Sequence, residues 1–346
     1  MRTPPRRLFA TVSALALALS ACASGASSET MSETMSETSG GDGTLVVVTT
    51  SIVGDIVGDV LAGTDASIEV LMATGVDPHA YAPSAQDALR LREADLVVAI
   101  GLGLEASLSD ALASVEEDGV PVLRIGEYAE PFLMEEGHGE EEGHEEEGHD
   151  EEKDGQEDGH GDGDEHGSFD PHVWLGPAQV ALMVPAIVTA YDTVSPAEGD
   201  VVKERGDEVV AEYLALADEL RAMIQDIPAD DRVVVTNHDS LRYLTELLGV
   251  KVIGTVLPGT STQAEPSAAD FASLIKTVTD AGVKAVFTEP QSSDRIATSL
   301  AEQVGGIELV VLFTGSLGPV GSGAETLPNL LRTNVERIVA ALTPES

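Results

Sequence analysis

Cysteine is nearly absent from this chain: Cys22 is the only one, so no internal disulfide can form. Basic residues are scarce as well, with 18 lysines and arginines against 61 aspartates and glutamates, for a formal charge of -43. Such a chain repels nucleic acid and anionic membrane surfaces, and it fits a cation-collecting surface instead. Acid- or salt-adapted secreted proteins carry similar charge, so charge alone decides little. Aromatics are also few, with six Phe, five Tyr and one Trp. They leave little to line a pocket for a sugar or siderophore, which ranks a receptor for an organic solute last. Beyond the N-terminal region no stretch approaches the roughly 20 apolar residues that cross a bilayer.

At the start, Arg2, Arg6 and Arg7 precede an apolar run from Leu8 to Leu19, followed by Leu19-Ser20-Ala21-Cys22. That is the pattern of a secretory signal ending in a lipobox. Residues 1–21 are expected to be removed, Cys22 to carry a lipid, and the protein to be extracytoplasmic and anchored to the cell membrane through it. Residues 22–43, mostly Ser, Thr, Glu and Gly, cannot bury a core and should form a flexible tether.

From Leu45 onward, short β-branched runs alternate with helical periodicity, the signature of a parallel α/β sheet. Strands are expected at Leu45–Thr50, Ile68–Met72, Leu96–Ile100 and Val122–Ile125, with helices near Val53–Leu61, Ala85–Glu93 and Leu104–Glu116. The rhythm returns after Pro228, with strands at Arg232–Thr236, Lys251–Val256, Ala285–Thr288 and Glu308–Leu312. Helices should follow at Leu241–Leu248, Ala268–Ala281, Ile296–Val304 and Thr326–Leu342. This gives two α/β lobes, 44–193 and 228–346, joined across 194–227. In that connection, spaced apolar residues over Ala197–Gln225 predict one long helix, weakened early by Gly199 and Gly206. An insertion at 135–167, almost entirely Glu, Asp, Gly and His, reads as disordered.

The eight histidines fall into two sets. His138, His144, His149, His160 and His166 punctuate the acidic insertion, and His79, His172 and His238 stand in short polar motifs. Histidine used in this way points to a metal ion, because imidazole is the commonest nitrogen ligand for zinc and its relatives. Asp77-Pro78-His79 and Asp170-Pro171-His172 each present a histidine from a loop stiffened by proline. Asp77 and Asp170 are placed to orient the imidazoles. One such tripeptide reads as an ordinary turn; two in one lobe shift the balance towards ligands. Asn237-His238-Asp239 directly follows a strand, where open α/β sheets bind ligands. Asp294, in Glu289-Pro290-Gln291-Ser292-Ser293-Asp294, is either a carboxylate ligand or an N-terminal helix charge. The five remaining histidines are expected to bind metal weakly at exchangeable sites, without being essential to the primary one. Trp174 is expected to pack behind His172.

The paired Asp-Pro-His motifs, Asn237-His238-Asp239 with Tyr243 behind it, Phe287-Thr288-Glu289-Pro290-Gln291 and the His-rich insertion together resemble the ZnuA-like solute-binding lipoproteins of zinc and manganese ABC importers. The resemblance runs from about Leu45 to the C-terminus. It implies two Rossmann-like lobes with parallel sheets, a rigid connecting helix and a metal in the interlobe cleft. His79 and His172 would serve from the first lobe, and His238 and Asp294 from the second. The fourth position stays open among Asp294, Glu289 and water. A histidine at the third position favours Zn2+ over Mn2+, since nitrogen-rich sites are softer. The implied partners are an ABC permease and its ATPase, with the protein acting as a monomer and without catalysis. A secreted zinc hydrolase is the competing class, because three histidines plus water also describe a catalytic site. Against it, the chain has no His-Glu-x-x-His motif and no separate acid-base cluster.

Overall fold

The computed structural model describes residues 43–134, 169–291 and 294–343. The expected signal sequence, Cys22, the expected tether up to Asp42 and the five histidines of the acidic insertion lie outside them.

Two four-stranded sheets carry the fold, and every pairing within them is parallel. The first holds β1 (Leu45–Thr50), β2 (Ser67–Met72), β3 (Leu96–Ala99) and β4 (Val122–Arg124) in the order β2-β1-β3-β4. The second holds β5 (Val233–Thr236), β6 (Lys251–Thr255), β7 (Ala285–Thr288) and β8 (Glu308–Val311) in the order β6-β5-β7-β8. The two sheets therefore repeat one topology, and in each the strand order reverses beside its first strand, where such sheets form ligand crevices. Val46, Val47 and Val48 of β1 are fully buried, as expected of a central strand covered on both faces.

The helices are α1 (Ser51–Val60), α2 (Ala85–Glu93), α3 (Ser109–Glu117), α4 (Pro177–Val194), α5 (Gly199–Ile224), α6 (Arg242–Leu248), α7 (Ala268–Ala281), α8 (Arg295–Val304) and α9 (Leu327–Leu342). Local chemistry sets many of their ends. Ser84 with Asp87, and Ser267 with Asp270, form capping boxes that satisfy the first free amides of α2 and α7. Gly249 and Gly282 end α6 and α7 in the left-handed conformation that side chains resist.

Among the described residues, α4 is the one long element that the periodicity leaves out. It is apolar around most of its circumference and carries Pro185 in its interior, so neither a polar face nor an uninterrupted run announces it. The expected connecting helix is present as α5, with 26 residues spanning about 39 Å. Its buried stripe comprises Val202, Val209, Tyr213, Leu216, Leu220 and Ile224. Each aliphatic member, fully buried, contributes about 1.5–3 kcal/mol over an exposed position. Gly206 serves packing here: a Cβ at this position would meet Val188 Cγ2 of α4 at 2.5 Å. One apolar core runs from β1 and α1 through α4 and α5 to α6 and α9, and so joins the two lobes. Smaller cores close the outer face of each sheet. No helix among the described residues is long and apolar enough to cross a membrane.

Candidate metal centre

The three isolated histidines meet. His79 follows β2, His172 precedes a short 3-10 turn before α4, and His238 follows β5. His79 Nε2 lies 3.2 Å from His172 Nε2, which lies 3.4 Å from His238 Nε2. All three ligand atoms fall within 4.8 Å of one another. Zinc–nitrogen bonds of 2.0–2.1 Å in a tetrahedron place ligand atoms about 3.3–3.4 Å apart, so both separations lie close to a coordination edge. His172 and His238 are buried and His79 is half-buried, which leaves the approach on the His79 side.

Each buried imidazole is held from behind. Asp170 Oδ1 accepts from the His172 backbone amide at 3.0 Å and lies 2.8 Å from its Nδ1. Glu289 Oε1 lies 2.8 Å from His238 Nδ1, and the Ser240 hydroxyl donates to the same oxygen at 3.3 Å. Carboxylates on Nδ1 leave Nε2 as the lone pair facing a metal. Burial disfavours the charged form of His238, but the adjacent Glu289 carboxylate overrides it and raises the pKa. Among the described residues no carboxylate pairs with the His79 ring: burial, then the charges of His172 and His238, lower its pKa to about 3. It is therefore neutral and able to bind metal at neutral pH.

The two Asp-Pro-His motifs thus work differently. Asp170 Oδ1 lies against the Nδ1 of its histidine, whereas Asp77 Oδ1 accepts the backbone amide of His79 at 2.9 Å and leaves its Oδ2 to Thr262, whose hydroxyl donates to it at 2.6 Å. Trp174 packs edge-on to His172 with ring centroids 5.3 Å apart, and its Nε1 donates across the lobes to Thr314 O at 2.8 Å.

Asp294 is not brought to this group. It is exposed at the start of α8, lining a cleft with Glu265, Phe271 and Glu302. Of the motif that suggested it, Glu289 is the member that reaches the histidines. Thr262 had no sequence signal beyond a polar loop following a strand. Ser240 was equally inconspicuous beside His238.

Comparison with known proteins places the chain in a family. Over 306 residues the chain is 26% identical to the manganese-binding lipoprotein MntA of Bacillus subtilis, covering 86% of this chain and 89% of that protein. It is 27% identical over 306 residues to the zinc-binding protein TroA of Treponema pallidum, covering 86% and 88%. The solved structure of the periplasmic zinc-binding protein TroA superposes with a TM-score of 0.73 at 26% identity, covering 87% of this chain and all of that one. Residues 46–341 match the family model described as zinc-uptake complex component A, periplasmic, and the chain accordingly belongs to that ZnuA family, the solute-binding proteins of zinc and manganese ABC importers.

Proposed function

We propose that the protein captures Zn2+ outside the cytoplasm and delivers it to an ABC importer, tethered to the membrane by lipid on Cys22. The observation that carries this reading is the convergence of three imidazole Nε2 atoms, two from the first lobe and one from the second. Such a site gains its full ligand set only while the lobes are together, which suits an ion that must be held and then released. Three nitrogen donors make a softer site than carboxylate-rich ones and favour zinc over manganese. The relative named for manganese supports Mn2+ as the second reading. Glu289 and Asp170 each face an imidazole Nδ1 atom. That orientation supports a binding role over a hydrolytic one, which would need a base beside the metal's open position.

The test is competition titration with Zn2+ and Mn2+ on the full chain, on a version lacking residues 135–167 and on His238→Ala. The expected result is one tight zinc site that survives loss of the insertion and disappears in His238→Ala. A chain without the insertion that holds no ion tightly would overturn the reading and make the acidic segment the principal binder. Tighter binding of Mn2+ than Zn2+ would reassign the cargo.

A further inference from the structure

We propose that Thr262 is a positioning residue for the metal centre: its hydroxyl, through Asp77, holds His79 of the first lobe at a fixed distance from His238 of the second. The inference rests on the three-histidine reading above and adds to it a residue that touches no ligand.

The loop after β6 is tied to the second lobe on both sides of His238. Leu257 N–H donates to Asn237 O at 2.7 Å, and Asp239 N–H donates to Gly259 O at 3.0 Å. Three residues further on, the Thr262 hydroxyl reaches Asp77 Oδ2 at 2.6 Å, while Asp77 Oδ1 accepts the His79 backbone amide at 2.9 Å. The segment from Gly259 to Thr262 spans at most about 10 Å, so the tether between the two histidine loops is short. A hydroxyl donating to a carboxylate at this length belongs to the stronger, charge-assisted class of hydrogen bonds. Asp77 and Thr262 are both half-buried, which limits competition from water.

His79 needs this support more than its neighbours do. Asp170 braces the His172 ring and Glu289 braces the His238 ring, whereas Asp77 secures His79 by its backbone amide. The half-buried His79 is therefore the ligand through which the ion leaves first, and the Thr262 hydroxyl sets how readily its loop withdraws. Association need not pass through the closed arrangement, so the hydroxyl should slow release more than it speeds capture.

Release of Zn2+ into excess chelator, followed by stopped flow, tests this on the full chain, Thr262→Val, Thr262→Ser and each substitution combined with His79→Ala. Losing a hydrogen bond to a charged group predicts release about tenfold faster in Thr262→Val, with association unchanged and the metal-free melting temperature preserved. Thr262→Ser should restore slow release. In the His79→Ala background, Thr262→Val should have no further effect, because its route of action is gone. Unaltered release in Thr262→Val overturns the proposal while leaving the three-histidine site intact. Fast release in Thr262→Ser, or an undiminished effect without His79, overturns it equally. A full chain from which Zn2+ is never held slowly sinks the three-histidine reading itself, and the proposal with it.

Discussion

Glu289 Oε1 stands 2.8 Å behind His238 Nδ1, so the carboxylate of the Glu289-Pro290-Gln291 motif reaches the three-histidine cluster through an imidazole. These two residues follow β5 and β7, adjacent strands that flank the reversal of strand order in the second sheet. The carboxylate fixes the ring and makes Nε2 a stronger donor. Glu289→Gln keeps the shape but removes the charge, and should weaken zinc binding by about 10–100-fold without altering stoichiometry. Competition titration measures this directly.

Asp294 provides the complementary case. It is exposed on α8 and separate from the histidine group. Asp294→Ala is therefore expected to leave zinc affinity within about twofold of the parent, as surface substitutions away from a site usually do. A loss of the size expected for Glu289→Gln would instead bring Asp294 back as a ligand.

The sequence made most of the architecture readable because both sheets are buried and parallel, so each strand is a β-branched run bounded by polar turns. β1, α2, α7 and β7 match their expected bounds to the residue. The helix α4 escaped because its apolar residues surround the axis and leave no period to read. Of the site, the three histidines were legible because nothing else in the chain spends histidine in isolated polar motifs. Glu289 and Asp294 could not be separated, since both follow a strand and only the path of the turn decides which carboxylate faces inward. Thr262 was invisible for a simpler reason: its role depends on Asp77, 185 positions away in the chain.

Asp55 gives a pH test independent of the metal. Its Oδ2 accepts the Leu327 amide at the start of α9 at 2.6 Å. Burial raises its pKa to about 6, opposed by that hydrogen bond and reinforced by Asp59. The folded state thus holds this proton more tightly than the unfolded chain, whose carboxyl titrates near ~3.9. The contribution to stability is present below about pH 4 and is lost as pH rises through 6. Asp55→Asn keeps an oxygen for Leu327 and removes the penalty. Allowing for its partial exposure, it should stabilise the protein by about 1 kcal/mol at pH 7.5 and by nothing measurable at pH 4. Denaturant titrations of the metal-free protein at both values settle the matter, and equal effects at the two would refute the assignment.

Tyr243 joins the three-histidine cluster, through Asp170, to the segments that flank the acidic insertion. Its hydroxyl donates to Asp170 O at 2.7 Å and accepts the Phe132 amide at 3.0 Å, while its ring stacks on Phe132 with centroids 4.7 Å apart. One residue further along the chain from Phe132, Leu133 bridges to Phe169, so the segments entering and leaving the insertion are held together beside Asp170. Tyr243→Phe preserves the stacking and removes only the hydroxyl, leaving a backbone donor and a buried acceptor without their shared partner. The expected cost is about 1–3 kcal/mol, read from denaturant unfolding. Because Asp170 also orients His172, the same substitution should weaken zinc binding, though by less than Glu289→Gln, which strips a charge directly from a ligand. A stability loss with unchanged zinc affinity would show that the Asp170 carboxylate keeps its place on His172 without help from its own backbone anchor.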